Sequence, residues 1–151
     1  MSILEIVLYP NPILLQKSVP VTQFDKKLEQ LVMDMEDTRK HYKGVGLAAP
    51  QIGILEQICI AEFRNKRIVL INPEITEETG AEADQEGCLS IPGVTVTLNR
   101  ATRITVKAQD IKGNAFTIKE KNYFARIIQH EIDHLNGILI TQKEYLSIEK
   151  D

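Results

Sequence analysis

Between Asn122 and Asn136 the chain carries its most restrictive stretch of sequence. Phe124, Ile127, Ile128, Ile132 and Leu135 recur at helical spacing and cover a wide arc, and Gly137 follows as a C-terminal stop. Arg126, Gln129 and Asp133 are the chief positions left for solvent. A helix that apolar belongs in the middle of a domain, packed against sheet. Yet its second half reads His130-Glu131-Ile132-Asp133-His134, an H-E-x-x-H motif. The fold must therefore bury a helix and still bring substrate to it.

The motif has a physical reading. His130 and His134 lie one turn apart on one face, where both imidazoles reach a single metal ion. Glu131 lies about 100° round the helix, placed to handle the proton of a metal-activated water without being a ligand. Two buried histidines without an ion or partner would be costly. A catalytic site of this kind has a third protein ligand. Continuing the motif as H-E-x-x-H-x-x-G-x-x-H fails, because Ile140 stands at the last position. Glu144 and Glu149, in a short tail, make a poor downstream ligand helix. Upstream, His41 and Cys88 remain. His41 sits near Lys40 and Lys43 at a helix end and has the character of a solvated residue. Cys88 sits in Glu86-Gly87-Cys88-Leu89-Ser90, beside a glycine that lets backbone approach, and a thiolate is a strong ligand for a borderline divalent ion.

The rest of the chain reads as one α+β unit over residues 1–151. A first helix is expected from Thr22 to about Tyr42, with Thr22 and Asp25 as a capping box and Gly44 as its C-terminal cap. Strands are expected at Gln57–Glu62 and Arg67–Ile71 as a hairpin, then at Val94–Leu98, Thr102–Lys107 and Ala115–Lys119. Cys59, in an apolar run, reads as core. A net charge of −3, no Trp and no basic run argue against a nucleic-acid surface. Neither a signal peptide nor an apolar run of membrane-spanning length is evident, so a cytoplasmic setting is expected, or an organelle matrix after loss of a targeting segment.

Three segments, in this order, resemble the signature motifs of the peptide deformylase family: Gly44-Val45-Gly46-Leu47-Ala48-Ala49-Pro50-Gln51-Ile52-Gly53, Glu86-Gly87-Cys88-Leu89-Ser90 and Gln129-His130-Glu131-Ile132-Asp133-His134-Leu135. Tyr9-Pro10-Asn11-Pro12 resembles the family's opening. The resemblance implies an α+β fold with antiparallel sheets around the motif-bearing helix. It implies a metal-dependent hydrolase that removes the formyl group from the formyl-methionine of nascent chains. Cys88, His130 and His134 would hold one divalent ion, Fe(II) natively, with zinc, nickel or cobalt able to replace it. Glu131 would act as general base and then acid, while Gln51 and the Leu89 backbone N–H would stabilise the oxyanion. Val45, Gly46, Leu47, Glu86, Tyr123, Arg126 and Ile127 would contact substrate, and Glu86 would pair with Arg100. Two departures stand out. Thr95 occupies the place where many members carry a substrate-binding Arg, and the 14 residues after Gly137 leave no room for a long C-terminal helix through which members meet the ribosome. A metalloprotease is the competing enzyme class, disfavoured by Ile140 and Cys88. A non-catalytic binding protein is disfavoured because Glu131, Gln51 and Cys88 are all present.

Overall fold

The structure, a computed structural model, describes residues 2–143. It contains helices α1 (Lys26–His41) and α2 (Asn122–Leu135). The strands are β1 (Gly46–Ala48), β2 (Ile58–Phe63), β3 (Lys66–Thr79), β4 (Glu82–Cys88), β5 (Ile91–Arg100), β6 (Arg103–Gln109) and β7 (Ala115–Lys121). Short 3-10 turns occupy Pro12–Leu15 and Ala49–Ile52. A five-stranded antiparallel sheet runs in the order β1-β2-β3-β6-β7, and β4 and β5 form a separate ribbon.

The alternation of β2 explains how two helices share this sheet. Ile58 and Ile60 point to one face, with Leu47 and Ile71, against Leu28, Val32 and Met35 of α1. Cys59 and Ala61 point to the other, with Ala48, Leu70 and Val106, against Phe124, Ala125, Ile128 and Ile132 of α2. Small side chains on the α2 face, Ala48, Cys59 and Ala61, let that helix approach closely. The ribbon packs through Val96 and Leu98 onto Leu14, Leu139 and Ile140. Arg126 of α2 also donates to the carbonyls of Leu98 and Glu82 in the ribbon at 3.2 and 2.6 Å. The second helix is thus enclosed between sheet and ribbon, as its apolar arc required.

Several boundaries differ from the sequence expectation. The first helix starts at Lys26, not Thr22: Asp25 is its N-cap, accepting from Leu28 N–H at 3.1 Å. Residues before it stay extended because the Asn72 side chain bonds both backbone groups of Val21, at 2.8 and 2.9 Å. At the other end the left-handed residue is Lys43 (φ +57°), while the Gly44 N–H donates to Arg39 O at 3.0 Å. Gly44 is bare for another reason, since a Cβ there would meet Leu89 Cδ1 at 2.7 Å. Strand β3 runs on to Thr79 through register shifts after Ile71 and Ile75, and β4 is a strand the sequence pattern did not announce. Arg126 and Gln129, expected in solvent, are buried, and Asp133 is half-buried. Their partners lie on the ribbon and its flanks, which cover that side of α2: Gln129 bonds both backbone groups of Ala101, at 3.1 and 2.9 Å.

Candidate active site

The helix, the ribbon and the 3-10 turn meet at one point. His130 and His134 arrive one turn apart on α2, with Nε2 atoms 3.2 Å from each other. Cys88 arrives from the end of β4, where the pairing with β5 shifts register, and its Sγ lies 3.3 Å from His134 Nε2. One ligand atom from each of the three lies within 4.8 Å of the others. Bonds of about 2.0 Å to nitrogen and 2.3 Å to sulfur in tetrahedral array place ligand atoms roughly 3.3–3.6 Å apart. The two contacts of His134 Nε2, at 3.2 and 3.3 Å, fit an ion at this position. His41 is exposed at the end of α1, edge-on to Tyr42, and takes no part. Glu144 and Glu149 fall outside the described residues.

The surroundings also suit a cation. The His130 Nδ1 faces Glu86 Oε1 at 2.9 Å, which fixes the proton on Nδ1 and turns Nε2 toward the ligand cluster. Burial disfavours a charged His130, but Cys88, Glu131 and Glu86 outweigh it and push its pKa up to about 10. The negative surroundings that hold a proton there equally favour a metal ion. Burial, then the His130 charge, keeps His134 neutral, the form that ligates. Glu86 itself would be raised by burial, yet hydrogen bonds from Arg100 and His130 hold it well below the usual carboxylate range. Arg100 donates to it through Nε and Nη2 at 2.8 and 2.9 Å, and Arg126 Nη1 adds a third contact at 2.7 Å. Arg100 also reaches Asp133 Oδ2 at 2.5 Å. The imidazole is therefore steadied by a chain of charges that runs through Glu86 and Arg100 and returns to α2 at Arg126 and Asp133.

The remaining groups line the same opening. Glu131 is 4% exposed, and burial above all raises its pKa to about 7, near the value that suits proton transfer in both directions. Among the described residues its Oε1 is buried with no hydrogen-bond partner, as is His134 Nδ1. An unpaired buried acceptor costs about 1–3 kcal/mol, and at the wall of the adjoining cavity Oε1 is available to accept from a bound water or substrate. Gln51 comes from the 3-10 turn. Its Oε1 accepts from Ala48 N–H at 2.9 Å, which aims Nε2 at Ser90 Oγ (3.2 Å) and Cys88 Sγ (3.6 Å). Leu89 is half-buried in the β4–β5 turn beside them.

A cavity of about 340 Å³ opens on this cluster. Val45, Gly46, Gln51, Glu86, Leu89, Tyr123, Arg126, Ile127, His130 and Glu131 contribute to its wall. Leu47 does not: its side chain is fully buried on the opposite face of the sheet, against α1. The alternation of β1 dictates this, since the neighbours Gly46 and Ala48 face α2. Arg126 lines the wall but is already engaged by Glu86 and two ribbon carbonyls. Sequence reasoning missed Ser90, fully buried against Gln51, and Asp133, given to solvent; both lie inside segments singled out for other residues. Cys59 is core, 1% exposed, its thiol pKa pushed up by burial.

The match to known proteins extends beyond these residues. The family model for polypeptide deformylase covers residues 3–148. A peptide deformylase of Heliobacterium modesticaldum is 47% identical over 143 residues, 95% of either chain. One of Dictyoglomus thermophilum is 48% identical over 133 residues, 88% of this chain and 87% of its own. The crystal structure of the peptide deformylase from Thermotoga maritima superposes with a TM-score of 0.93 at 40% identity, covering 95% of this chain and 98% of that one. With a Cys/His/His cluster on two buried histidines and a half-buried cysteine, a helix-borne carboxylate beside it and this extent of likeness, the chain belongs to the polypeptide deformylase family of metal-dependent hydrolases.

Proposed function

We propose that the protein hydrolyses the N-formyl group of formyl-methionine at the start of nascent polypeptides, releasing formate. The observation that carries this reading is the meeting of Cys88, His130 and His134 in one cluster, with Cys88 and His130 at the wall of a cavity that the buried Glu131 also lines. Cys88, His130 and His134 are the residues that would hold the ion. When bound, a divalent metal supplies an acidified water and polarises the carbonyl. A sulfur and two nitrogens suit several borderline divalent ions. The likeness to peptide deformylases is what favours Fe(II) as the native ion, with zinc, nickel and cobalt as substitutes.

The chain's own groups then do the following. Glu131 Oε1 accepts the water's proton and later delivers it to the leaving amine, a cycle that a pKa of about 7 permits. Gln51 Nε2, held by the Ala48 bond to its other end, and the Leu89 N–H donate to the formyl oxygen as it gains charge. Removing one such donor costs about 10²–10³-fold in kcat, so Gln51→Ala should fall in that range. Val45, Tyr123 and Ile127 offer apolar surface to a methionine side chain. Glu86 and Arg126 line the cavity beside them, with Glu86 paired to Arg126 and to Arg100. Among the described residues no helix is long and apolar enough to cross a membrane. The substrate places the enzyme in the compartment where formylated chains are made, the cytoplasm or an organelle matrix. Contact with the ribosome would be transient.

The test is release of formate from formyl-Met-Ala-Ser by protein purified without oxygen and loaded with Fe(II) or nickel, beside Glu131→Ala. Turnover that needs the metal and disappears in the variant is the expected result. Bound metal with no turnover in the unaltered protein would refute the proposal. Fe(II) activity that decays in air and persists under argon is expected from a thiolate ligand.

A further inference from the structure

We propose that Gly46 is a positioning residue for Glu131: the bare α-carbon at the head of β1 is the surface against which that carboxylate is seated. This rests on the reading of Glu131 as the proton carrier. A Cβ on Gly46 would stand 2.4 Å from Glu131 Oε2, 2.8 Å from Cδ and 2.9 Å from Cγ. Contacts that short along a run of three bonded atoms are not relieved by turning the terminal carboxylate. The side chain as a whole must move.

Neither partner can retreat. Strand β1 is fixed on β2 by the Gly46–Ala61 pairing and by Glu62 N–H donating to Val45 O at 2.8 Å. Helix α2 is fixed by Ile128, Ile132 and Leu135 in the core on the same face. Glu131 is 4% exposed, and the space open to it is the cavity that it shares with Gly46. Conformational freedom is not what requires the glycine, because Gly46 does not occupy the left-handed region that Gly53 and Gly137 do. Alanine suits this backbone, so the requirement is for space alone. The seat is on the catalytic side: Gly46 and Glu131 share the cavity wall, so a displaced carboxylate is displaced within the site.

The experiment compares Gly46→Ala with the unaltered protein, both loaded with nickel, on formyl-Met-Ala-Ser. A carboxylate moved by about 1 Å should lower kcat by about 10²-fold. Nickel content should not change, and KM should stay within about twofold, the pattern of an interaction made in the transition state. Thermal unfolding supplies a readout independent of turnover. Gly46→Ala should lower Tm in the unaltered protein and leave it unchanged in Glu131→Ala, which lacks the crowded atoms. This cycle also decides the matter if the single variant is too unstable to assay. Unchanged kcat, a raised KM with kcat retained, loss of nickel, or an equal Tm loss in both backgrounds would each overturn the inference. Turnover retained in Glu131→Ala would instead refute the proton-carrier reading, and the thermal cycle would still report on the seat.

Discussion

Two carboxylates in this molecule are buried among arginines, and they do different things. Glu36 of α1 is held by Arg39 and Arg67, and Arg39 also reaches Glu62. The cluster ends on backbone: Arg39 Nη1 donates to Gly44 O at 2.9 Å and closes the turn that leads into β1. Glu86 of β4 is held by Arg100 and Arg126, and Arg100 also reaches Asp133. This cluster ends on an imidazole, His130. The composition is nearly the same, so burial of charge alone does not tell a scaffold from a site. What differs is the last partner in the chain of bonds, a backbone carbonyl that accepts in one and an imidazole N–H that donates in the other. One network fixes where a loop runs, and the other fixes which way the His130 Nε2 points.

The comparison can be broken by removing members of each network in turn. The largest effect is expected from Glu86→Ala. It leaves Arg100 and Arg126 buried without their shared partner, a loss of about 3–5 kcal/mol. It also frees His130 to rotate, which should weaken metal affinity by about 10–100-fold. Denaturant titration and metal competition measure the two effects separately. Arg39→Met should cost about 3 kcal/mol of stability for the same reason, yet leave metal affinity unchanged. An equal loss of metal affinity in both variants would erase the distinction drawn above. Asp133→Asn weakens one charged hydrogen bond of Arg100 and leaves Glu86 in place. Its expected cost is about 1.5 kcal/mol, with metal affinity lowered less than in Glu86→Ala.

The smallest effect concerns pH. Burial would raise the Glu36 pKa, but hydrogen bonds and charges from Arg39 and Arg67 prevail and lower it. A carboxylate with a folded-state pKa below its unfolded value stabilises the protein above the unfolded value. That contribution is lost as pH falls through the folded value. Stability of the unaltered protein should therefore decline on acidification below the ordinary glutamate range, and Glu36→Gln should decline less steeply. Parallel pH–stability curves for the two would contradict this assignment.

How much of this was legible in the sequence depended on where each residue's partners lie. Helix α2 announced itself by its period, and β2 and the start of β3 by runs of branched apolar residues. Strand β4 did not, because Glu82-Ala83-Asp84-Gln85-Glu86-Gly87-Cys88 turns only Glu86 fully inward, and its reason for being a strand is the pairing with β5. Arg126 was read as solvent-facing because a helical period registers polarity and not what covers it. Its partners Glu82, Glu86 and Leu98 lie 28 to 44 residues away. Asn72 is a similar case. It holds Val21 from 51 residues away, and so sets the start of α1 where a local capping pattern had suggested Thr22. The proposed metal ligands were legible in part. Two are four residues apart on one helix, whereas Cys88 stood out by its chemistry and by the resemblance of its neighbours to a known motif.

The central claim is that Cys88, and not the other cysteine, joins the two histidines at the ion. Cobalt substitution tests it most directly. The protein loaded with Co(II) should take up one ion per chain and show thiolate-to-cobalt charge-transfer absorption. That absorption should vanish in Cys88→Ala and persist in Cys59→Ala. Absorption that survives the loss of Cys88 would contradict the ligand set and the account built on it.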